Sequence, residues 1–413
     1  MTLSKQDVRK ALEARKGEVV ELLCDLIRFP STRGYEGPVG RYLWDRMADL
    51  ADACEEVPIP EGLVDDPDYS FPLEGITYGD RPNVRLVKRG TGGGKSLLFN
   101  THMDVVPPSQ MQEHPFDPQV KEGMIFGRGA CDAKGQIATL YLVLRVLDDL
   151  QIALKGDTIF HFVIEEECGG NGTLAFVRGA DRADATVVLE PTGMTCLPSV
   201  RGAVWFEVTC YGRSGHSGQA GVTVNALKEA ISAIHILEGY HARLLAASRG
   251  IPLFDRFENP MPITFGTMEA GDWPATAPQK ATFKGVLGFL SNKTKEQIQR
   301  EMRQVLVEEG DEWLKEHFDL HFIYRHDSSV IPPDHPLVQT MAQACRRSDL
   351  EPEITAMPAS CDAWFYNNLL KIPTLVFGPG KLQYAHSNQE QISVAEILKG
   401  AEVLIEFVRT WCG

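Results

Sequence analysis

The chain has 413 residues, 43% of them hydrophobic and 23% charged, which excludes a disordered, collagenous or disulfide-stapled protein. Acidic side chains number 56 against 41 basic ones, for a formal net charge of −15. With no Lys/Arg run to offset that charge, nucleic acid and anionic membranes are poor partners. Nine cysteines, an odd count without CxxC spacing, read as reduced thiols of a cytoplasmic protein.

In chain order, Val8, Leu12, Val19, Leu22, Leu23, Leu26 and Ile27 recur at helical spacing and predict one amphipathic helix over 5–28, stopped at Pro30. It carries no signal-peptide core, and no apolar stretch approaches membrane-spanning length. A Pro-, Gly- and Asp-rich stretch at 57–82 predicts a surface insertion or active-site edge. Four short apolar runs follow: SLLFN (96–100), TIFHFVI (158–164), TVVL (186–189) and TLVFG (374–378). They read as strands buried on both faces, and the helical patterns at 134–149 and 172–179 make the class α/β. Residues 199–327 read differently: strand 200–211, helix 222–247, strands 261–268 and 280–290, helix 294–317, strand 319–325. That is a ferredoxin-like α+β pattern, inserted into a catalytic α/β domain made of 1–198 and 328–413.

Each buried run leads into polar residues able to hold a metal. SLLFN is followed by His102 and Asp104, TIFHFVI by Glu165, Glu166 and Glu167, TVVL by Glu190, and TLVFG by His386. Ligands of open α/β sheets bind outside the carboxyl ends of the strands, and charges there need partners. Asp132, in the Gly-rich loop GRGACDAKG before a helix, completes the set; on its own it would read as a helix cap. His102, Asp132, Glu167, Glu190 and His386 form an N/O ligand set suited to zinc, with cobalt or manganese as alternatives. Five ligands suit two divalent ions sharing a carboxylate. Asp104 is then free to hold the ring N–H of His102, and Glu166 to act as general base on water.

The motifs NTHMDVVP, GRGACDAKG, EEECGGNGT, VVLEPTG, GRSGHSG and GPGKLQYAHSNQEQI occur in that order. Together, over roughly residues 10–410, they resemble the M20 family of metallopeptidases and amidohydrolases, in wording the acetylornithine deacetylase and succinyl-diaminopimelate desuccinylase branch. The resemblance implies His102 and Glu190 on one metal, Glu167 and His386 on the other, Asp132 bridging, and Glu166 as base; a one-residue slip would put Glu165 in that role. It also implies that His216, in GRSGHSG, stabilises the oxyanion from the partner subunit of a homodimer formed by the lid; otherwise His216 is a surface turn residue.

Two departures bear on substrate. Gly288 stands where many relatives carry a carboxylate-gripping Arg, leaving Arg201, Arg213, Arg325 and Lys381 as unranked substitutes. Trp364 replaces a common Arg in SCDAWFYNN (360–368), and the pair suggests a bulkier, more apolar or less anionic substrate. TGGGKS (91–96) lacks a P-loop context, and Cys131 and Cys168 read as packing residues. The expected function is hydrolysis of the amide bond of a small N-acylated amino acid or related compound. The alternatives are a metallo-dipeptidase or carboxypeptidase, or a non-catalytic metal-binding scaffold.

Overall fold

The computed structural model describes residues 4–70, 75–216, 218 and 221–413. The N-terminal pattern forms two helices, Lys5–Ala14 and Lys16–Arg28, instead of one, because Arg15 leaves helical geometry at φ −95°, ψ 2°. Ser4 and Asp7 close a capping box at its start, and the seven apolar residues that predicted it are all buried.

The main sheet is mixed. Across it run Ala53–Val57, Asn83–Lys88, Thr158–Val163, Leu97–His102, Thr186–Val188, Thr374–Val376, Cys196–Val200 and Ser329–Val330, with Ile354–Met357 paired to Cys196–Val200. The four apolar runs are neighbours in its centre, and every pair among them is parallel. Their residues are buried throughout, as strands covered by helices on both faces must be. Lys134–Asp149, Pro336–Arg347 and Val394–Trp411 pack together over the sheet. Parallel alignment has one decisive effect: the carboxyl ends of all four strands open on the same edge.

A second sheet has its own hydrophobic core, including Phe206, Phe283, Phe289, Leu237 and Met302. Its order is Ile263–Ala270, Lys280–Phe289, Gly202–Tyr211 and Phe318–His326, every neighbouring pair antiparallel. Helices Ala226–Ala247 and Lys295–Glu309 cover one face. The later helix is shorter than the pattern suggests: Gly310 ends it, and Leu314–Glu316 is a separate 3₁₀ turn.

The 57–82 stretch is not a surface insertion over its length. Beyond the 3₁₀ turn Glu61–Asp65, Tyr69, Ser70, Tyr78 and Arg81 are buried against the segment that carries Glu165. Residues 71–74 lie outside the described residues. All nine cysteines are free of disulfides. Among the described residues, no helix is long and apolar enough to cross a membrane.

Candidate active site and metal centre

His102 is the last residue of its strand and is buried. Its Nδ1 lies 3.0 Å from the main-chain carbonyl of Asp104, an obligatory acceptor, so Nδ1 carries the proton. Nε2 then presents a lone pair to Asp132 Oδ1 at 3.1 Å. Two lone pairs face each other, and a proton or a cation reconciles them. The other Asp132 oxygen, Oδ2, lies 3.3 Å from His386 Nε2, which is also 3.0 Å from Glu167 Oε2. Ligand atoms of His102, Asp132 and Glu190 all fall within 4.8 Å of one another, and so do those of Asp132, Glu167 and His386. Two triads thus share Asp132, one through each oxygen. Three carboxylates and two imidazoles at this spacing fit two small divalent cations with N/O preference.

The electrostatics agree. Burial opposes charge on His102, but Asp104 and Asp132 override it and hold its pKa well above the ordinary value. Burial also opposes charge on His386, yet Asp132 and Glu167 push its pKa up to about 11. Glu166 and Glu190 are raised well above the usual carboxyl range, by burial first and then by neighbouring charges that include each other or the other carboxylates. The cluster is short of positive charge.

The triple Glu is sorted by its surroundings. Glu165 has left-handed backbone (φ 60°) and a buried side chain. Its carboxylate accepts from Arg81 Nη2 at 2.6 Å, Tyr78 Oη at 2.9 Å and Asn171 Nδ2 at 2.8 Å. Burial pushes its pKa up, but Arg33 and Arg81 pull harder and leave it lowered. Glu165 is therefore fully engaged. Glu166 and Glu167 follow in a 3₁₀ turn, with backbone N–H groups donating to Asp104 Oδ1 and Oδ2, each at 3.1 Å. Among the described residues, nothing hydrogen-bonds the Glu166 carboxylate.

That turn gives Asp104 a second task beside the one expected at His102. The His102 ring N–H goes to the Asp104 carbonyl, while the Asp104 carboxylate stands 3.5 Å off and spends its oxygens on the Glu166 and Glu167 backbone. His216 is not brought to the cluster. It is exposed on a two-residue ladder with Thr276, its Nδ1 accepting from the Gly218 N–H at 3.1 Å. Trp364 does not line an open pocket either. It is 2% exposed, stacked on His326 at 5.0 Å, with Lys295 Nζ 4.4 Å from its ring. At Gly288 the absent side chain leaves no vacancy. An added Cβ would lie 2.6 Å from Arg201 Nη1 and 2.9 Å from the Met261 backbone. Arg201 itself donates to the Pro358 and Gly202 carbonyls at 2.7 and 3.2 Å. Arg213 lies over Trp313, and Arg325 donates to the Pro67 and Tyr69 carbonyls.

Two acids that the sequence did not single out also adjoin the site. Asp362 is buried, accepts from Thr173 Oγ1 at 2.5 Å, and has its pKa pushed up to about 7 by burial. Glu390 grips the loop of Asp132 through backbone N–H groups. The sequence signal was there for both, since they lie inside SCDAWFYNN and GPGKLQYAHSNQEQI, but spacing alone attached no task to them. Burial raises the Cys131 and Cys168 thiols, which keeps them protonated and poor nucleophiles.

Comparison with known proteins agrees with this geometry. Residues 98–410 match the model of peptidase family M20/M25/M40. The chain is 26% identical to the N-formyl-4-amino-5-aminomethyl-2-methylpyrimidine deformylase of Halalkalibacterium halodurans, over 97% of this chain and 96% of that one. It is 31% identical to a succinyl-diaminopimelate desuccinylase of Wolbachia pipientis over a shorter span, 39% of this chain and 44% of the relative. The di-peptidase Dug1p of Saccharomyces cerevisiae has the same fold, with a TM-score of 0.81 at 14% identity, covering 100% of this chain and 99% of that one. The chain belongs to the M20 family and is a hydrolase of amide C–N bonds.

Proposed function

We propose that the chain is a dinuclear deacylase that releases an amine from a small N-acylated amino acid or related compound. His102 and Glu190 would hold one ion, Glu167 and His386 the other, with Asp132 common to both groups; zinc is the expected metal, with cobalt or manganese as substitutes. Two divalent ions in that set would supply Lewis acidity and so make water easier to deprotonate. Glu166 takes the proton of the attacking water, the oxygen bonds to the acyl carbon, and Glu166 returns the proton to the amine as the C–N bond breaks. Asp104 holds the Glu166 and Glu167 backbone in place for this. His216 donates to the developing oxyanion from a second copy of the chain, with residues 199–327 as the lid and dimerisation domain.

The observation that carries the reading is Glu166. Beside two triads that share one carboxylate, it is the Glu of the triple run left without a hydrogen-bond partner among the described residues. Binding a metal needs no such group; activating water does. The space over Gly288, taken by Arg201 with its own backbone acceptors, supports a substrate that does not depend on a carboxylate grip there.

The test is a metal-resolved assay. Chelator-stripped protein is titrated with zinc, cobalt or manganese while amine release is followed from N-formyl and N-acetyl amines, N-acetyl amino acids and dipeptides. Activity returning with two ions per chain and favouring acylated amines establishes the reading. Preference for dipeptides assigns a dipeptidase instead, and failure to bind metal removes the dinuclear site.

A further inference from the structure

The loop 127–135, which carries Asp132, is held by a carboxylate from the far end of the chain. Glu390 is 2% exposed. Its Oε1 accepts the N–H of Cys131 at 3.2 Å and of Asp132 at 3.1 Å, and its Oε2 meets Arg128 Nη1 at 2.5 Å. The Glu390 main-chain carbonyl accepts the Gly127 N–H at 3.1 Å, and the next residues, Gln391–Ser393, pair antiparallel with Met124–Phe126. Gln136 closes the loop from its other side, its Nε2 donating to the Cys131 carbonyl at 3.2 Å and to the Pro379 carbonyl at 2.7 Å. The loop is thus fastened at both ends to the segment 378–393.

That segment also carries His386, four residues before Glu390. One stretch of chain therefore supplies a side chain to one triad and a clamp to the residue both triads share. A buried carboxylate is costly unless it is paired and hydrogen-bonded, and apolar packing would serve mere cohesion as well. Both Glu390 oxygens are spent on this loop.

We propose that Glu390 is a positioning residue for the dinuclear centre, gripping the Cys131 and Asp132 backbone so that the shared carboxylate sits in register with His386. The inference rests on the dinuclear reading above. The two Asp132 oxygens face different imidazoles. A tilt of its backbone therefore disturbs both triads at once, and loss of Glu390 weakens both binding steps together.

The experiment titrates the stripped full-length chain with Co²⁺ alone, reading affinity by calorimetry and ligand geometry by visible absorption. Glu390→Ala should weaken both steps about 10- to 100-fold, the usual effect of removing a group that orients a ligand, and should change the visible bands. Glu390→Gln, which keeps an acceptor for the two N–H groups but turns an amide N–H toward buried Arg128, should lower the Tm yet hold Co²⁺ more tightly than Glu390→Ala. Glu390→Asp keeps the charge but withdraws it by one methylene; it should fall between wild type and Glu390→Ala, and it replaces the alanine variant if that one does not fold. A purely structural role would lower the Tm of the stripped chain and leave Co²⁺ affinity and spectrum of the folded protein unchanged. Wild-type affinity and spectrum in whichever of the Ala and Asp variants folds overturns the proposal. A wild-type chain that takes up no Co²⁺ overturns the dinuclear reading, and this inference with it.

Discussion

The edge of the main sheet and the second sheet place their candidate functional side chains in opposite ways. At the sheet edge, His102, Asp132, Glu167, Glu190 and His386 converge with ligand atoms within 4.8 Å in each triad, three of them from at or just past the ends of parallel strands, Asp132 from a clamped loop and His386 from the segment after the turn Leu382–Tyr384. On the lid, His216 stands exposed on a two-residue ladder, its bonded neighbour the Gly218 backbone. Parallel strands in one sheet hold their ends to a common line, so a cluster forms without help from outside. A ladder of two residues imposes no such constraint, and a residue there acts on whatever surface is brought to it. The first cluster is preorganised by the fold; on the proposed reading, the second residue acts only across a subunit contact.

The largest expected effect breaks the sheet-edge half of this contrast. Glu166→Gln should lower kcat about 10²- to 10⁴-fold while two ions remain bound, seen by parallel turnover and metal analysis. Turnover near wild type would take Glu166 out of the base role. The lid half comes next. His216→Ala should lose about 10²- to 10³-fold in kcat, the scale of an oxyanion donor, with little change in KM. Mixing Glu166→Gln with His216→Ala protein should restore activity toward about a quarter of wild type, since half of randomly formed dimers carry one intact composite site. No recovery, with exchange verified by sedimentation of labelled chains, would place His216 in its own subunit's site or outside catalysis.

Smaller effects sharpen the boundary between the regions. Gly288→Arg should not create a carboxylate grip. It should destabilise the fold by about 1–3 kcal/mol, because the new Cβ meets Arg201 and the Met261 backbone. A gain in affinity for acyl amino acids over their amides, at unchanged Tm, would contradict this. The last effect, absent at neutral pH and growing only as pH falls, concerns His326, buried between Tyr324 and Trp364. It donates from Nε2 to the Gly169 carbonyl at 3.0 Å and so accepts at Nδ1 from the Tyr324 hydroxyl at 2.9 Å. Burial pushes its pKa down to about 3. The folded state therefore binds this proton less well than the unfolded chain, where the value is 6.5. Its contribution is complete above pH 6.5 and fades as pH falls toward 3. The slope in that window is at most about 1.4 kcal/mol per pH unit. Denaturation midpoints measured across the window should fall with pH, and His326→Gln should flatten the fall by about one proton.

Much of the sheet edge was legible in the chain itself. Short apolar runs ending in His, Asp or Glu carry both the strand and its cargo, so the pattern around His102, Glu167 and Glu190 needs no distant information. The ferredoxin-like strand order followed from element order for the same reason. The misses, apart from a local helix break, are long-range. The break at Arg15 splits a helix whose periodicity continues across it. Trp364 reads as a substrate-side residue until the rings of His326 and Phe365 are found against it. Asp104 pairs with His102 by spacing, but spacing does not show that its carboxylate also holds the backbone that follows the neighbouring strand.

The run Glu165–Glu166–Glu167 marks where local pattern stops. Composition and spacing put three carboxylates at the end of one buried strand, and that much is local chemistry. Which of them stays free depends on Arg81, 84 residues earlier, on Tyr78, and on the 3₁₀ turn that Asp104 holds. In the same way, GRGACDAKG supplies Asp132, but its clamp comes from Glu390, 258 residues later. Periodicity and strand ends are properties of neighbouring residues and survive in one dimension. Which charges find partners, and which are left to do chemistry, is decided by burial against distant segments, where an unpaired charge is too costly to leave to chance.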